Sequence, residues 1–431
     1  MTRLTAALAL LLAAAPAAAP AAAQGASGTL TLSDVVGMAV QNSPGALAAE
    51  QDIIIARQRV SEARFLELPQ FSLAGSLSRM NLEYPEVLGP DFGGPFLDPA
   101  AGTSFYSMRV QAMQPLYTGG RNSNTLKMAR AAANQAQVDY ETARAAAALA
   151  AKRAFYTVLY QSRLKESASY WLDRARELDS GLRKSPLEKL EAGMLLSSLS
   201  DRLARAGEGL DAAHAGLLKV ISREPDFPAE PSGDFSPQPV TVPVSRCLVT
   251  AMESRPEMKS ELYRAQMDDI AVNMAMVRRN PTIYLGASYD LSSYKLNSLT
   301  RDAERSSGWL ASIGILFPLS YDIWTQVQQR RAQQRQGELQ RAALQDDIRF
   351  EIMTAYREAA SRQEEAGRLG EELRETEAGY DKAASSERPS MAELRALCSL
   401  CRLEERYLDA VYGQLMARVK LEWAQGRDLD V

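Results

Sequence analysis

The feature that most constrains this chain is a long-period similarity between its two halves. Eight identical pairs share one offset of 212 residues: Ser33 and Ser245, Ala39 and Ala251, Pro44 and Pro256, Val60 and Val272, Ala63 and Ala275, Pro69 and Pro281, Leu73 and Leu285, and Ser76 and Ser288. The order of predicted elements repeats as well, with two helices, two alternating segments and a very long helix that turns back into another. A fixed offset of this kind predicts an internal duplication.

The duplication divides the chain into four predicted segments. Residues 1–23 are a signal peptide, 24–222 the first repeat, 223–243 a linker and 244–431 the second repeat. Six prolines among polar residues characterise the linker, which favours an extended segment over the outside of the structure. These are Pro225, Pro228, Pro231, Pro237, Pro239 and Pro243.

The amino terminus is typical of an exported protein. A charged start at Arg3 precedes an Ala/Leu run that ends in Ala21-Ala22-Ala23 before Gln24, as in a secretory signal with its small-residue cleavage site. No Cys follows the cleavage point, so we expect no lipid anchor. The formal net charge is −4 and the pI is near 5.5. The chain therefore lacks the excess of basic residues typical of a nucleic-acid-binding protein, and that class is excluded.

Four segments of about ten residues alternate between apolar and polar side chains, which predicts strands with two unlike faces. The apolar sets are Phe71, Leu73 and Leu77; Tyr106, Met108 and Val110; Ile283, Leu285, Tyr289 and Leu291; and Trp309, Ala311, Ile313, Ile315 and Phe317. A soluble two-sheet sandwich is the alternative, but the flanking helices are far too long to pack over so small a sheet. The expected exposed turns are residues 81–103 and 297–307.

After the signal peptide, no apolar stretch reaches the roughly 18 to 20 residues of a spanning helix. A membrane crossing would therefore have to be a closed β-barrel. Four strands are too few for known outer-membrane barrels, which have about eight or more. The strands therefore predict assembly with further copies of the chain.

Long helices are predicted over residues 120–181 and 322–384, each followed by a helix that returns, over 186–222 and 390–424. A helix of about 60 residues spans roughly 90 Å. The hairpin tips are expected near Lys184-Ser185-Pro186 and Glu387-Arg388-Pro389-Ser390. Two apolar stripes are predicted at coiled-coil spacing: Leu126, Ala129, Ala133, Ala136, Tyr140, Ala143, Ala147, Ala150 and Ala154 in the first long helix, and Ile348, Ile352, Ala355 and Ala359 in the second.

Two strand-to-helix joints carry a family resemblance. Gln114-Pro115-Leu116-Tyr117-Thr118-Gly119-Gly120-Arg121 and its degenerate copy Phe317-Pro318-Leu319-Ser320-Tyr321-Asp322 resemble the signature of the TolC-type outer-membrane efflux proteins. Pro115, Gly119, Gly120 and Pro318 are its candidate positions. Glu377-Ala378-Gly379-Tyr380 and Ala410-Val411-Tyr412 with Leu415 are also similar to the family, and the resemblance covers essentially the whole mature chain.

The resemblance implies a mainly α protein with β-structure that forms a homotrimer. Each protomer would give four strands to a shared twelve-stranded transmembrane β-barrel, and its helical hairpins would form a periplasmic α-barrel. The implied function is the outer-membrane exit duct of a tripartite efflux or type I secretion system. The implied partners are outer-membrane lipid, a periplasmic adaptor and an inner-membrane transporter.

The resemblance also suggests where a gate would lie. In well-known members, paired acidic residues just after the second tip ring the tunnel entrance, and those positions fall here on Ala392 and Arg395. This chain therefore departs from the acidic pattern. Four charged residues near the tips are the gate candidates, with a solvated helix face as the alternative: Glu188, Glu191, Glu393 and Arg395.

The residues of common enzyme sites are missing from the sequence. His214 is the single histidine, which excludes a His-based triad or a multi-histidine metal site. Cys398 and Cys401 form a Cys-x-x-Cys, for which helix packing or an incidental bond is favoured over a redox or zinc half-site. No nucleotide-binding glycine motif is found. We expect a passive conduit without cofactor; the alternatives are a periplasmic coiled-coil adaptor protein without a pore and an envelope hydrolase.

Overall fold

The computed structural model describes residues 29–80, 103–182, 185–228, 230–293, 295–296, 299, 305–319, 321–384 and 390–427. The predicted signal peptide, most of both exposed turns, and parts of both hairpin tips lie outside these residues. The first half contains α1 (Leu32–Asn42), α2 (Pro44–Phe65), β1 (Gln70–Met80), β2 (Thr103–Tyr117), α3 (Arg121–Gly181) and α4 (Pro186–Val220). The second contains α5 (Val244–Ser254), α6 (Pro256–Val277), β3 (Thr282–Ser293), β4 (Ser306–Leu316), α7 (Asp322–Ala384) and α8 (Met391–Ala424).

The same order of elements thus occurs twice, and the mainly helical fold with four strands predicted from the sequence is confirmed. Prolines at the first turn begin three of the helices, α2, α4 and α6. This is the position where the missing N–H of proline costs no hydrogen bond. Among the described residues, no helix has the length and apolar character needed to cross a bilayer.

The four strands form one antiparallel sheet in the order β1-β2-β3-β4. Each half contributes a hairpin, and β2 pairs with β3 to join them, so that Val110 lies opposite Tyr289. In the described part of the chain, β1 and β4 each pair on one side only. The sheet therefore ends in two open edges, which can pair with a further strand.

The helices pack as two long hairpins, with α3 against α4 and α7 against α8. Helix α3 lies centrally, because it also contacts α1, α2, α6 and α8. The core is distributed along the hairpins in separate clusters. The largest is centred on Phe155, Leu217 and Leu415, each at most 2 % exposed. Burial of one such side chain contributes about 1.5–3 kcal/mol.

The predicted stripe on α7 is confirmed, since Ile348, Ile352, Ala355 and Ala359 are all buried. The predicted seam on α3 is wrong in register. Of its nine members only Ala147 is buried within the chain, and Ala150 is exposed. Helix α3 has neighbours on several sides, so that one stripe cannot describe its buried surface. Its buried apolar residues are Ala131, Val138, Ala147, Ala148, Ala151, Phe155, Tyr156, Val158, Leu159, Ala168, Trp171, Leu172 and Ala175.

The segment between the halves crosses the helices as an extended strap. Gln414, 1 % exposed, holds it with two hydrogen bonds: its Oε1 accepts from the Gln238 N–H at 3.1 Å and its Nε2 donates to the Gln238 carbonyl at 2.6 Å. Farther along, the Val240 N–H donates to Gln363 Oε1 at 2.8 Å. Extended backbone without a sheet partner needs such side-chain partners. Both helices of the second hairpin, α8 through Gln414 and α7 through Gln363, therefore hold the strap in place.

Candidate functional site

One face of the sheet is apolar across all four strands. The register aligns Leu73, Val110, Tyr289 and Trp309 in one cross-strand row. The next rows include Phe71 with Ala112, Ala287 and Ala311, and Gln114 with Leu285 and Ile313. Trp309 is 80 % exposed, Phe71 76 % and Ile313 69 %. The sequence assigned these side chains to one face, and the register confirms it.

An uncovered apolar face of this extent marks an interaction surface for lipid or protein. Strands of 11 to 15 residues reach or exceed the roughly 9 to 11 residues that cross a bilayer at a tilt. The geometry of the sheet thus fits contact with hydrocarbon on this face.

The opposite face carries most of the polar side chains of the four strands. Ser76 and Ser107 share a hydrogen bond of 2.7 Å between their hydroxyls, and Arg109 forms an ion pair with Asp290 across β2 and β3. Ser288 donates from its hydroxyl to Asp290 Oδ2 at 3.3 Å. This face is therefore suited to water.

The first joint between sheet and hairpin depends on two glycines. Gly119 and Gly120 have φ of 63° and 94°, in the left-handed region that side chains disfavour. A Cβ on Gly119 would lie 2.5 Å from Cβ of Asn280, whose side-chain amide donates to the Gly119 carbonyl at 2.9 Å. The joint of the first half is thereby fixed against the end of α6 in the second.

The two signature prolines occupy different settings. Pro115 lies inside β2, beside the bulge between Pro115 and Tyr117, where the missing N–H of proline is tolerated in a strand. Pro318 follows the end of β4 in irregular backbone. In the first copy of the signature, Pro115 therefore still belongs to the strand, and Gly119 and Gly120 form the joint itself, directly before α3.

Two of the four gate candidates meet. Arg395 on α8 donates from Nε to Glu191 Oε1 and from Nη2 to Glu191 Oε2 on α4, both at 2.6 Å. These hydrogen bonds lower the pKa of the Glu191 carboxyl below its ordinary value, and Glu191 raises the pKa of Arg395. The pair joins the second turns of the two returning helices, near the ends that lie next to the hairpin tips.

The other two candidates lie in the first turns of α4 and α8, next to the N-cap serines. Glu188 accepts from the Ser185 N–H at 2.7 Å while its own N–H donates to the Ser185 hydroxyl at 3.4 Å, a reciprocal capping box. Those bonds, and then Arg395 nearby, lower the pKa of Glu188. Glu393 donates its N–H to the Ser390 hydroxyl at 3.2 Å. The structure thus brings Glu191 and Arg395 together, places Glu188 close to them, and gives Glu393 a place in the first turn of α8.

Both residues of the Cys-x-x-Cys lie in the core near the tips. Cys398 and Cys401 are each 4 % exposed, with free thiols, in a cluster with Trp171, Leu199 and Leu394. Burial raises the pKa of both thiols. The described residues hold no group of three or more His, Cys, Asp or Glu side chains that could bind a metal ion. His214 is half-buried on α4.

Sequence reasoning missed the polar contacts that hold α8 to the first hairpin. Glu404 accepts from the Ser167 hydroxyl at 2.6 Å and from Trp171 Nε1. Tyr160 donates to Asp409 and stacks on Tyr412 with 4.5 Å between ring centroids. The partners are more than 230 residues apart in sequence, and no local pattern signals them.

Comparison with known proteins agrees with this architecture. The model of the outer membrane efflux protein family matches residues 35–179. Among curated proteins, no relative matches the sequence. Three solved outer-membrane proteins have similar folds. They are MtrE of Neisseria gonorrhoeae in its open state (TM-score 0.73, 17% identity, 92% of this chain and 89% of that one), CmeC of Campylobacter jejuni (0.71, 15%, 92% and 86%) and VceC of Vibrio cholerae (0.71, 15%, 92% and 96%).

The solved structures share the fold of the chain, and the family model matches from α1 to the end of α3. Together with the two-faced sheet and the paired long hairpins, these matches show that the chain has the fold of these outer-membrane proteins and that residues 35–179 are similar in sequence to the outer membrane efflux protein family.

Proposed function

We propose that the protein is the outer-membrane exit duct of a tripartite efflux or type I secretion system. In this role it passes small molecules or proteins passively from the periplasm to the exterior. The observation that carries the proposal is the four-stranded sheet, with one uncovered apolar face, one polar face and two open edges.

Closure of that sheet needs further copies of the chain. Edge strands β1 and β4 of neighbouring protomers would pair, since a strand edge in hydrocarbon leaves backbone groups without hydrogen bonds. The family resemblance gives the number three, and thus a twelve-stranded barrel. Its apolar face would contact outer-membrane lipid and its polar face would line the lumen, as in other outer-membrane barrels.

The hairpins supply a periplasmic tunnel. Helix α3 has 61 residues and α7 has 63, which correspond to roughly 90 Å each. Three protomers bring twelve long or returning helical segments around one axis. The tips would meet a periplasmic adaptor, and an inner-membrane transporter would supply the energy. Residues 1–23 would direct export and be removed, without a lipid anchor.

The entrance of the tunnel would lie at the tips. Glu191 and Arg395 would link the two hairpins of one protomer at this entrance. Glu188 and Glu393 belong to the same region; Glu188 caps α4, and the backbone N–H of Glu393 is capped by Ser390.

The test is single-channel conductance of the purified mature protein in planar bilayers, with chemical cross-linking to count subunits. Discrete conductance steps from a cross-linked trimer are expected. A protein that is soluble without detergent and cross-links to no trimer would overturn the proposal in favour of a periplasmic adaptor.

A further inference from the structure

The polar face of the sheet carries very little charge. In the described strands, the register assigns to it the side chains of Gln70, Ser72, Ala74, Ser76 and Ser78; Thr103, Phe105, Ser107, Arg109, Gln111 and Met113; Thr282, Tyr284, Gly286, Ser288, Asp290 and Ser292; and Ser306, Gly308, Leu310, Ser312, Gly314 and Leu316. Arg109 and Asp290 are the charged members of this set. Arg79, the third charged strand residue, belongs to the apolar face, because it pairs with Ser104 in the row beyond Leu77.

These two charges lie directly opposite each other and form an ion pair. Their side chains are 58 % and 38 % exposed, so that the pair is open to the solvent on this face. The rest of the row consists of Ala74 on β1 and Gly308 on β4. The guanidinium and carboxylate therefore extend beyond every other side chain at their level.

We propose that Arg109 and Asp290 form a charge-balanced ring in the lumen of the barrel, through which cargo passes with little discrimination between cations and anions. The inference rests on the proposed function, since it requires closure by three copies with the polar face inward. The ring consists of the row Ala74, Arg109, Asp290 and Gly308, repeated once in each of the three protomers. Every guanidinium is then neutralised by the carboxylate of its own protomer, and donor and acceptor stand side by side for cargo of either sign.

The size of the lumen makes this balance matter. Twelve strands about 4.8 Å apart and tilted about 40° enclose a ring roughly 24 Å across between backbones. The Debye length is about 10 Å at 0.1 M salt. A ring of three uncompensated charges would therefore act on ions across most of the opening, whereas at 1 M salt, with a Debye length of about 3 Å, its influence would be confined to the wall.

The test compares reversal potentials under a salt gradient for wild type, Arg109→Gln, Asp290→Asn and the double variant. Arg109→Gln leaves three carboxylates and is expected to raise the cation-to-anion permeability ratio about threefold or more at 0.1 M salt. Asp290→Asn leaves three guanidinium groups and is expected to lower the ratio by a similar factor. The double variant returns to the wild-type ratio, and both single effects shrink at 1 M salt.

The opposite signs separate this inference from a structural role. A pair that served only to fix the register of β2 on β3 would weaken stability in both single variants and leave the permeability ratio unchanged. Arg79→Gln is the matched control, because it removes one positive charge per protomer from the other face, and it should not shift the ratio.

Each variant is also made together with Arg395→Ala, so that a shut entrance does not hide the barrel. Unchanged ratios, or ratios that move in the same direction in both single variants, overturn the charge-balanced ring and leave the duct intact. Absence of conductance from wild type and from Arg395→Ala would overturn the proposed duct, and the ring with it.

Discussion

Arg395 and Glu191 form a two-pronged ion pair between the starts of α8 and α4, with both hydrogen bonds at 2.6 Å. The planar fork of arginine matches the two oxygens of a carboxylate, which fixes orientation as well as distance. The side chains are 57 % and 39 % exposed. The pair therefore constrains the relative position of the two hairpins in water, where salt and pH reach it.

The first prediction concerns this link. Arg395→Ala is expected to increase the open probability or conductance of the channel in planar bilayers, because the hairpins lose their contact near the tips. The difference between Arg395→Ala and wild type should be smaller at high salt, since salt screens the exposed ion pair of the wild type. The midpoint of thermal unfolding should stay unchanged, because an exposed pair adds little to stability.

The charge-swapped double variant, Glu191→Arg with Arg395→Glu, should restore the wild-type conductance. Arg402→Ala removes an exposed arginine two turns farther along α8 and serves as the control. If Arg395→Ala and Arg402→Ala behave alike, the ion pair has no part in gating.

A second prediction follows from the pKa of Glu191, which is lowered below its ordinary value of 4.5 by Arg395. A carboxyl with a lowered folded-state pKa keeps its full contribution above the ordinary value and loses it as the pH falls through the lowered one. Wild-type conductance should therefore be constant from pH 7 to pH 5. It should rise only at a pH below the ordinary pKa of a glutamate carboxyl. The recording is a pH series on single channels.

The variant Arg395→Ala should lack this rise in acid. Glu188 also has a lowered pKa, chiefly from its bonds to Ser185, and titrates in the same direction. Glu188→Gln separates the two groups: an acid response that survives this change belongs to Glu191, and one that disappears belongs to the helix cap.

A third prediction uses two neighbouring residues of β4 that point to opposite faces. Ile313 lies on the apolar face, 69 % exposed, and Ser312 on the polar face. An arginine near the middle of the lipid-facing surface costs about 2–4 kcal/mol. Ile313→Arg should therefore reduce the yield of membrane-inserted, heat-resistant protein in unboiled gels, while Ser312→Arg should insert normally. Equal insertion of both variants would count against lipid on the apolar face.

The strands illustrate what the sequence allows. A period of two fixes which side chains share a face, so that the apolar sets of all four strands could be predicted from the sequence alone. The stripe of Ile348 and Ile352 on α7 was predictable for a related reason, because large branched side chains mark the buried side. On α3 the predicted seam was mostly alanine, which is common on buried and exposed helix surfaces alike, and the pattern therefore did not fix the register.

Among the residues near the tips, local contacts could be predicted from the sequence and long-range contacts could not. The capping role of Glu188 is a local matter, since Ser185 three residues before it matches the capping-box spacing, and this signal was present in the sequence. The partner of Arg395 is 204 residues away, and only the packing of α4 beside α8 brings the two together. Pairing between hairpins was therefore beyond sequence reasoning, although both residues were selected as candidates.

A fourth prediction concerns the joint at Gly119. In Gly119→Ala the new Cβ would meet Asn280 and the residue would keep a positive φ, which costs about 1–2 kcal/mol before any clash. We expect a lowered unfolding midpoint, measured by circular dichroism in detergent.

Gly193→Ala is the control, because Gly193 lies in α4 with no atom within 4 Å of an added Cβ. That change should stabilise the protein by about 0.5–1 kcal/mol. Similar destabilisation by both variants would show that the joint has no special conformational demand.

The fifth prediction separates packing from redox chemistry at Cys398 and Cys401. Their thiols lie in the core cluster around Trp171 and Leu394, and burial raises the pKa of each. Because the thiolate is the reactive form, neither thiol should react with a maleimide in the folded protein, and both should react after unfolding in denaturant. Replacement of both by alanine should lower stability by about 1 kcal/mol per residue and leave conductance unchanged. A reductant is added to wild type and to the double variant in parallel. The packing role is contradicted if the reductant changes the conductance of wild type alone, because only a thiol-disulfide step inside this cluster then couples the tips to redox conditions.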